Sequence, residues 1–280
     1  MSRLRVLHRT SFIYERPVSA SYNEARMRPA NLPGQTVLAS RVTVEPVTWS
    51  TEYRDYWGTL VTAFEVLEPH SILVVTAESQ VDVTPISVTA DGCGWTDLAD
   101  RRLKDRFTEY LVPTRATEPA DDLVNLARSA AQGLEPSAAA RAVCAAVRSE
   151  IEYVPGSTGV HTRAEEAWGE RQGVCQDIAH LALGALRAVG IPARYVSGYL
   201  HPASDAPVIG ETVTGQSHAW VEWWTGDWNG YDPTNAIAAG EHHVIVGRGR
   251  EYGDVSPLRG VFAGGASAQQ RVDVEITQEA

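Results

Sequence analysis

The sequence predicts an α+β fold: an N-terminal antiparallel β domain over residues 1–85, a connection over 86–118, and a second domain over 119–280 in which a cysteine-bearing helix packs on an antiparallel sheet. Three observations carry this. The first third alternates apolar and polar residues with a period of two, the strand signature. From about residue 119 the apolar spacing becomes that of helices. After Pro192 it returns to strands, a hairpin among them. A length of 280 residues fits one large domain or two modest ones, at roughly 100–200 residues per domain.

In the first third, residues 3–10 (RLRVLHRT), 36–46 (TVLASRVTVEP), 59–67 (TLVTAFEVL) and 72–85 (ILVVTAESQVDVTP) read as strands, rich in Val, Leu, Thr and Phe. Asn31-Leu32-Pro33-Gly34, Trp57-Gly58 and Pro69-His70-Ser71 separate them as turns. Residues 86–118 are mixed and polar, a connection with one short helix or turn, and there Gly92 and Gly94 flank Cys93. Helices follow. Pro119, Asp121 and Asp122 suit a helix N-terminus, Leu123, Leu126, Ala127 and Ala130 form its apolar stripe, and Gly133 closes it. Pro136 opens a second helix, with Val143, Val147 and Ile151 at i, i+4, i+8 and Cys144 beside them. In a third, Ile178, Leu181, Ala182, Ala185, Leu186 and Val189 recur as in a helix buried along one side. Gly190 follows as the C′ residue and Pro192 forbids continuation. Cys175 therefore stands at the first turn of this helix, just after Gly173. Residues 193–200 form a strand and 201–216 a loop. SHAWVEWW (217–224) and WNGYDPTN (228–235) form a hairpin turned by Thr225-Gly226-Asp227. A last strand covers 270–276 after a glycine-rich connection.

The charge is −11, from 24 Lys plus Arg against 35 Asp plus Glu. An acidic balance argues against nucleic acid or an anionic membrane as the partner, since both attract basic surfaces. Lys104 is the only lysine, so 23 of the 24 basic residues are arginine, which reads as genome bias. No run approaches ~20 apolar residues, the length of a membrane-spanning helix. The N-terminus MSRLRVLHRTSFIYERP has no apolar h-region and no small-residue cleavage site, so it does not read as a signal peptide, and a reducing cytoplasm is the expected setting. Three widely spaced cysteines make neither a disulfide framework nor the paired ligands of a structural zinc site. Cys93 and Cys144 read as inert thiols.

Cys175 is different because of where it stands. A thiolate is the reactive form of cysteine, and the positive end of a helix dipole stabilises it. Free N–H groups at the same end can hold an oxyanion. A nucleophile of this kind needs a base, and the base an orienting group. The hairpin offers His218 on one strand, 43 residues after Cys175, and Asp232 on the next, 14 residues later. Cross-strand neighbours lie about 4.5–5.5 Å apart at Cβ, within reach of an imidazole–carboxylate hydrogen bond. A zinc site made from the same three residues has no short-spaced ligand pair to anchor it, so no metal and no cofactor is expected. His180, one turn beyond Cys175, reads as a packing or capping residue. His242 and His243 are adjacent, so they face opposite sides of a strand and make a poor metal pair.

GVCQDIAHLALGALRAVGIPARYVSGYL (173–200), SHAWVEWW and WNGYDPTN together closely resemble the core of the transglutaminase-like superfamily, whose fold is papain-like. The resemblance implies that Cys175 is the nucleophile, His218 the base and Asp232 the residue that orients it. YNEARMRP (22–29) and YRDYWGTLVTAFEVLEPH (53–70) resemble the β domain of the bacterial transglutaminase-like cysteine peptidase branch. HHVIVGRGREYGDVSPLRGVFAGG (242–265) resembles that branch's C-terminal signature, departing from it around Gly249-Arg250-Glu251. The likeness is weakest over roughly 86–135. It implies an acyl-enzyme formed on a peptide or glutamine carboxamide. Water would then give peptidase or deamidase action, a hydrolase, and a primary-amine acceptor would give transglutamination, an acyltransferase. A non-catalytic peptide-binding or assembly module on the same fold is the alternative.

Within that scheme the Cys175 backbone N–H is the expected oxyanion donor, with Gln172 and Tyr153 as candidate side-chain donors. Gln176 and Asp177 read as helix-start residues, and Asp177 as an alternative site for a substrate amine. Trp220, Trp223, Trp224 and Trp228 surround the base as core aromatics, or one of them shields the acyl-enzyme from water. No cluster of paired acidic residues reads as a calcium loop. The expected partners are a peptide or protein substrate and an amine acceptor, with no nucleic acid and no membrane; the oligomeric state is left open.

Overall fold

The alternating first third becomes six strands in the computed structural model, which describes residues 1–84, 92–202, 208–264 and 268–280. They are β1 (Ser2–Val18), β2 (Ala20–Ala25), β3 (Gln35–Glu45), β4 (Trp49–Arg54), β5 (Leu60–Val66) and β6 (His70–Val83). The four predicted strands are present, and β2 and β4 are additional. On β1, Leu4, Val6, His8 and Thr10 point inward at every second position. Residue 85, the end of the last predicted strand of the β domain, and residues 86–91, the start of the predicted connection, lie outside the described residues, as do 203–207 and 265–267 of the two predicted loops.

The rest of the connection holds three short helices, α1 (Trp95–Ala99), α2 (Arg101–Arg106) and α3 (Thr108–Leu111), where one was expected. The order continues with α4 (Asp121–Ala131), α5 (Pro136–Glu150), β7 (Glu152–Tyr153), α6 (Ala164–Glu170), β8 (Gln172–Gly173), α7 (Cys175–Ala188) and β9 (Ala193–Leu200). It closes with β10 (Thr212–Trp224), β11 (Trp228–Asp232), β12 (Ile237–Ala238), β13 (His243–Gly249), α8 (Tyr252–Val255), β14 (Leu258–Ala263) and β15 (Ala268–Gln278). Part of the loop predicted over 201–216 is strand, because β10 begins at Thr212 and pairs first with β15 and then with β9.

A nine-stranded sheet runs β12-β11-β10-β15-β1-β6-β3, with β9 on β10 and β13 on β9. A second sheet, β14-β2-β5-β4, draws its outer strand from the C-terminal residues. The two ends of the chain are thus paired, β15 with β1 over its whole length. The protein is α+β with large antiparallel sheets. Tyr14, Val18, Met27, Phe64, Leu73 and Val75 form one core between the N-terminal strands. Another gathers α4, α5 and α7 against β9 and β10.

Helix α7 is the centre of that second core. Its residues from Gln176 to Arg187 are all buried, more than the one-sided stripe predicted, because α3, α4, α5, α6, β9 and β10 all contact it. Gly184 permits a further close contact, with the segment between α3 and α4: a Cβ there would lie 2.4 Å from the Thr117 carbonyl oxygen. Among the described residues no helix is long and apolar enough to cross a membrane.

The sheet beneath the helix is equally tight at Gly198, on β9 opposite His218. A Cβ at Gly198 would sit 2.0 Å from the Val244 carbonyl oxygen and 2.7 Å from Trp220 Cη2. Overpacking of this kind costs about 1–3 kcal/mol. A Gly198→Ala variant is expected to lose stability of that order in urea denaturation, and an unchanged midpoint would contradict the close approach.

Candidate active site

Cys175 is the first residue of α7, and the chain reaches it through a short parallel pair, Glu152 opposite Gln172 and Tyr153 opposite Gly173. Val174 is the N-cap, in extended backbone. Asp177 Oδ2 accepts the Val174 N–H at 2.8 Å and the Thr158 hydroxyl at 2.5 Å, so this carboxyl folds back over the helix start. Gly173 leaves room for it, since a Cβ there would lie 2.7 Å from Asp177 Cβ. Burial raises the Asp177 carboxyl despite those hydrogen bonds. Asp177 is therefore a helix-start residue, as is Gln176, which is buried and donates to the Val160 carbonyl at 3.2 Å. As N1 of a helix, Cys175 carries an N–H that the helix itself does not use. Its side chain is half-buried.

His218 and Asp232 meet. The His218 Nε2–H donates to Asp232 Oδ2 at 2.7 Å. The hairpin pairs Val221 with Tyr231, so Asp232 falls one step past the last paired position and reaches His218 along a diagonal, not directly across. Burial alone would push His218 down. The hydrogen bonds to Asp232 and to Cys175 and the charge of Asp232 outweigh it, and raise His218 from 6.5 to about 9. Nε2 is taken by the carboxylate, which leaves Nδ1 as the ring nitrogen for the thiol. Asp232 is fully buried, and burial would raise its carboxyl, but its partners hold it well below the usual carboxylate range. They include Asn235 Nδ2 at 2.7 Å on Oδ2 and the N–H groups of Thr234 (3.0 Å) and Asn235 (3.2 Å) on Oδ1.

A cleft of about 390 Å³ opens on His218, lined also by Tyr153, Gln216, Thr234 and Asn235 among others. Tyr153 belongs to it: its phenol is raised first by burial and then by the nearby charges of Cys175 and Asp232. Gln172 is exposed on the short strand before Cys175, and neither of the two is among the residues that line the cleft. Trp220 is fully buried, its ring 6.1 Å from that of His218 and nearly parallel to it, so it is a core aromatic under the imidazole. His180 is buried against Tyr195 and accepts the Tyr252 N–H at 3.0 Å, a packing role. Burial lowers it to about 3, with Arg187 adding to the effect.

Two polar residues at the site escape the sequence reading. Asn235 follows Asp232 by three positions, and the Asx-type turn of DPTN is a signal that points to it. His243 approaches Asp232 Oδ2 to 3.4 Å. No spacing rule finds it, because it arrives through the strand order β13-β9-β10.

Residues 4–82 match the family described as the bacterial transglutaminase-like N-terminal region, and residues 124–233 match the transglutaminase-like superfamily. The second range contains Cys175, His218 and Asp232. An uncharacterized protein of Mycobacterium leprae is 46% identical over 278 residues, covering 99% of both chains. The chain belongs to the transglutaminase-like superfamily. A protein-glutamine gamma-glutamyltransferase of Pseudomonas aeruginosa is 33% identical over 118 residues, which are 38% of this chain and 17% of that one. A solved structure from Cytophaga hutchinsonii, described as a candidate cysteine protease, superposes with a TM-score of 0.79 over 100% of this chain and 91% of its own, at 22% identity, and so shares the fold. Family and fold are those of cysteine-based catalysis.

Two outcomes follow from this geometry. Cys144 is fully buried and its thiol is pushed far up by burial, and Cys93 is buried and raised as well. Iodoacetamide near neutral pH is expected to alkylate Cys175 first, read by peptide mapping; equal labelling of all three would count against the site. The His218 pKa is raised on folding, so its pairing stabilises the protein fully below about pH 6.5 and that contribution is lost as the pH climbs through about 9. Unfolding free energies measured from about pH 6 to about pH 10 are expected to fall more steeply for the parent than for Asp232→Asn, and equal slopes would deny the coupling.

Proposed function

We propose that the chain is a cysteine-nucleophile enzyme that attacks peptide or glutamine carboxamide bonds through an acyl-enzyme, with Cys175 as nucleophile, His218 as base and Asp232 as its orienting group. The observation that carries this is the 2.7 Å His218–Asp232 pair, whose imidazole is raised by Asp232 first and then by the nearby Cys175 at a helix N-terminus. A buried carboxylate keeps the imidazolium form of His218 beside the sulfur, the partner a thiolate needs.

In the resting thiolate–imidazolium pair the thiol proton already sits on His218 Nδ1, and the sulfur adds to the carbonyl carbon. The oxyanion that forms takes the Cys175 N–H at the positive end of α7. As the C–N bond breaks, His218 returns the proton to the leaving nitrogen, and an acyl-thioester remains. Water then releases an acid, or a primary amine releases a new amide, with His218 taking the proton of either. Tyr153 and Asn235, which line the cleft beside His218, are the side chains proposed to contact the acyl group. Family membership, and the partial likeness to a glutamyltransferase, support acyl transfer to an amine as one fate of the thioester.

Glutamine-containing peptides incubated with and without a primary amine, with products read by mass spectrometry, test this. Shortened peptides identify a peptidase, the amide-to-acid mass change a deamidase, and an amine adduct a transferase. Cys175→Ala is expected to abolish turnover, and Asp232→Asn to lower kcat by roughly 10²–10⁴-fold. No product from any peptide, or full turnover in Cys175→Ala, would overturn the proposal.

A further inference from the structure

Asp232 is shared by two imidazoles. His218 reaches it from β10 at 2.7 Å, and His243, at the start of β13, lies on the same oxygen at 3.4 Å. His243 is 4% exposed, and its ring meets Trp220 edge-on with centroids 5.2 Å apart. The Gly240 N–H donates to its Nδ1 at 3.1 Å, so that nitrogen carries no proton. The ring proton of the neutral side chain is therefore on Nε2, aimed at Asp232. The backbone turn between Gly240 and His243 fixes this tautomer, since the His243 N–H also returns to the Gly240 carbonyl at 3.0 Å.

The titratable groups that face His243 are Asp232, from β11, and His218, from β10, its ring 6.5 Å away. From β9 it meets Leu200 in register, and Gly198 beyond has no side chain. Its chain neighbours are engaged elsewhere: His242 packs on His201, and Glu241 pairs with the Met1 amine. A buried imidazole with a set tautomer, directed at the carboxylate that orients the base, is more than packing requires.

We propose that His243 is a positioning residue: its Nε2–H anchors Asp232 Oδ2 and, through Asp232, holds His218 in its charged, thiol-facing state. This rests on reading Cys175, His218 and Asp232 as the reacting set. His243 touches no substrate and transfers no proton. It supplies one of three donors to Oδ2, and its loss leaves the carboxylate freer to turn away from His218.

His243→Phe keeps an aromatic ring against Trp220 and removes the donor. His243→Gln places an amide N–H near the position of Nε2, and His243→Asn carries an amide too short to reach it. His218 is followed by NMR of its ring protons against pH, in the full chain. Its midpoint is expected to drop by about one pH unit in His243→Phe and His243→Asn and to stay near the parent in His243→Gln. The pH profile of Cys175 alkylation moves with it, and kcat on a turned-over peptide falls about tenfold with KM unchanged. Should His243→Phe fail to fold, the Gln and Asn pair carries the same comparison. A His218 midpoint unmoved in folded His243→Phe or His243→Asn, or equal shifts in Gln and Asn, overturns the proposal. A parent that turns over no peptide while its His218 midpoint still follows the His243 series supports the positioning and overturns only the enzymatic reading on which it rests.

Discussion

A carboxylate with no exposure to water is the constraint around which the site is built. Removing an ion from water costs several kcal/mol even after relaxation. A hydrogen bond to a charged group returns about 1.5–3 kcal/mol. Asp232 stays ionised because five donors converge on it: His218, Asn235 and His243 on Oδ2, and the N–H groups of Thr234 and Asn235 on Oδ1. Each comes from a different place in the chain or from a tight turn, so the charge can be buried only when β10, β11, β13 and the turn after Pro233 are all in place. The fold and the protonation state of His218 are one arrangement.

β10 repeats this solution four residues on. Glu222 is buried and takes Arg194 at 2.6 Å and Arg248 at 2.8 Å, which hold its carboxyl below the usual range against the opposing effect of burial. Arg194 also lies over the Trp228 ring, 3.7 Å from its centroid. The strand thus runs through the core between two compensated charges, with Trp220 and Val221 fully buried between them. Sliding β10 by one residue would turn both charged side chains to the opposite face and leave their partners unpaired. Register, which places His218 beside the start of α7, is fixed by electrostatics as much as by apolar burial.

The sequence makes the local parts of this legible and the long-range parts not. The helix that begins at Cys175 is readable from Gly173, Gly190, Pro192 and the apolar spacing between them, because capping and termination act over a few residues. His218 and Asp232 are readable because a hairpin brings them together with a short turn. The diagonal meeting is not readable, since it depends on where the pairing stops. β2 and β14 also escape, being short strands whose partners lie far off in sequence, β14 on β2 and β2 on β5, and β4 escapes because it is exposed along its whole length. His243 escapes for the same reason, as its role is created by two intervening strand pairings and a neighbour's tautomer.

The N-terminal strands take on meaning through that last residue. β13 has β9 on one side, and its other edge would present unpaired backbone groups. Gln35, buried at the start of β3, covers that edge as a strand would: its Nε2 donates to the Ile245 carbonyl and its Oε1 accepts the Ile245 N–H, both at 2.7 Å. The Ala30 N–H adds a bond to the same carbonyl at 3.0 Å. On the facing strand, the Tyr199 hydroxyl donates to the Met27 carbonyl at 3.1 Å and lies 3.0 Å from His8 Nδ1. Burial lowers His8 to about 4, so it remains neutral and bridges Tyr199 to Thr10. The polar contacts that bind the first forty residues to β9 and β13 therefore clamp the two strands that bring His243 to Asp232. The N-terminal strands β1 and β3 are thus an outer support for the carboxylate, coupled to it through β9 and β13, and their removal would be felt first at His218.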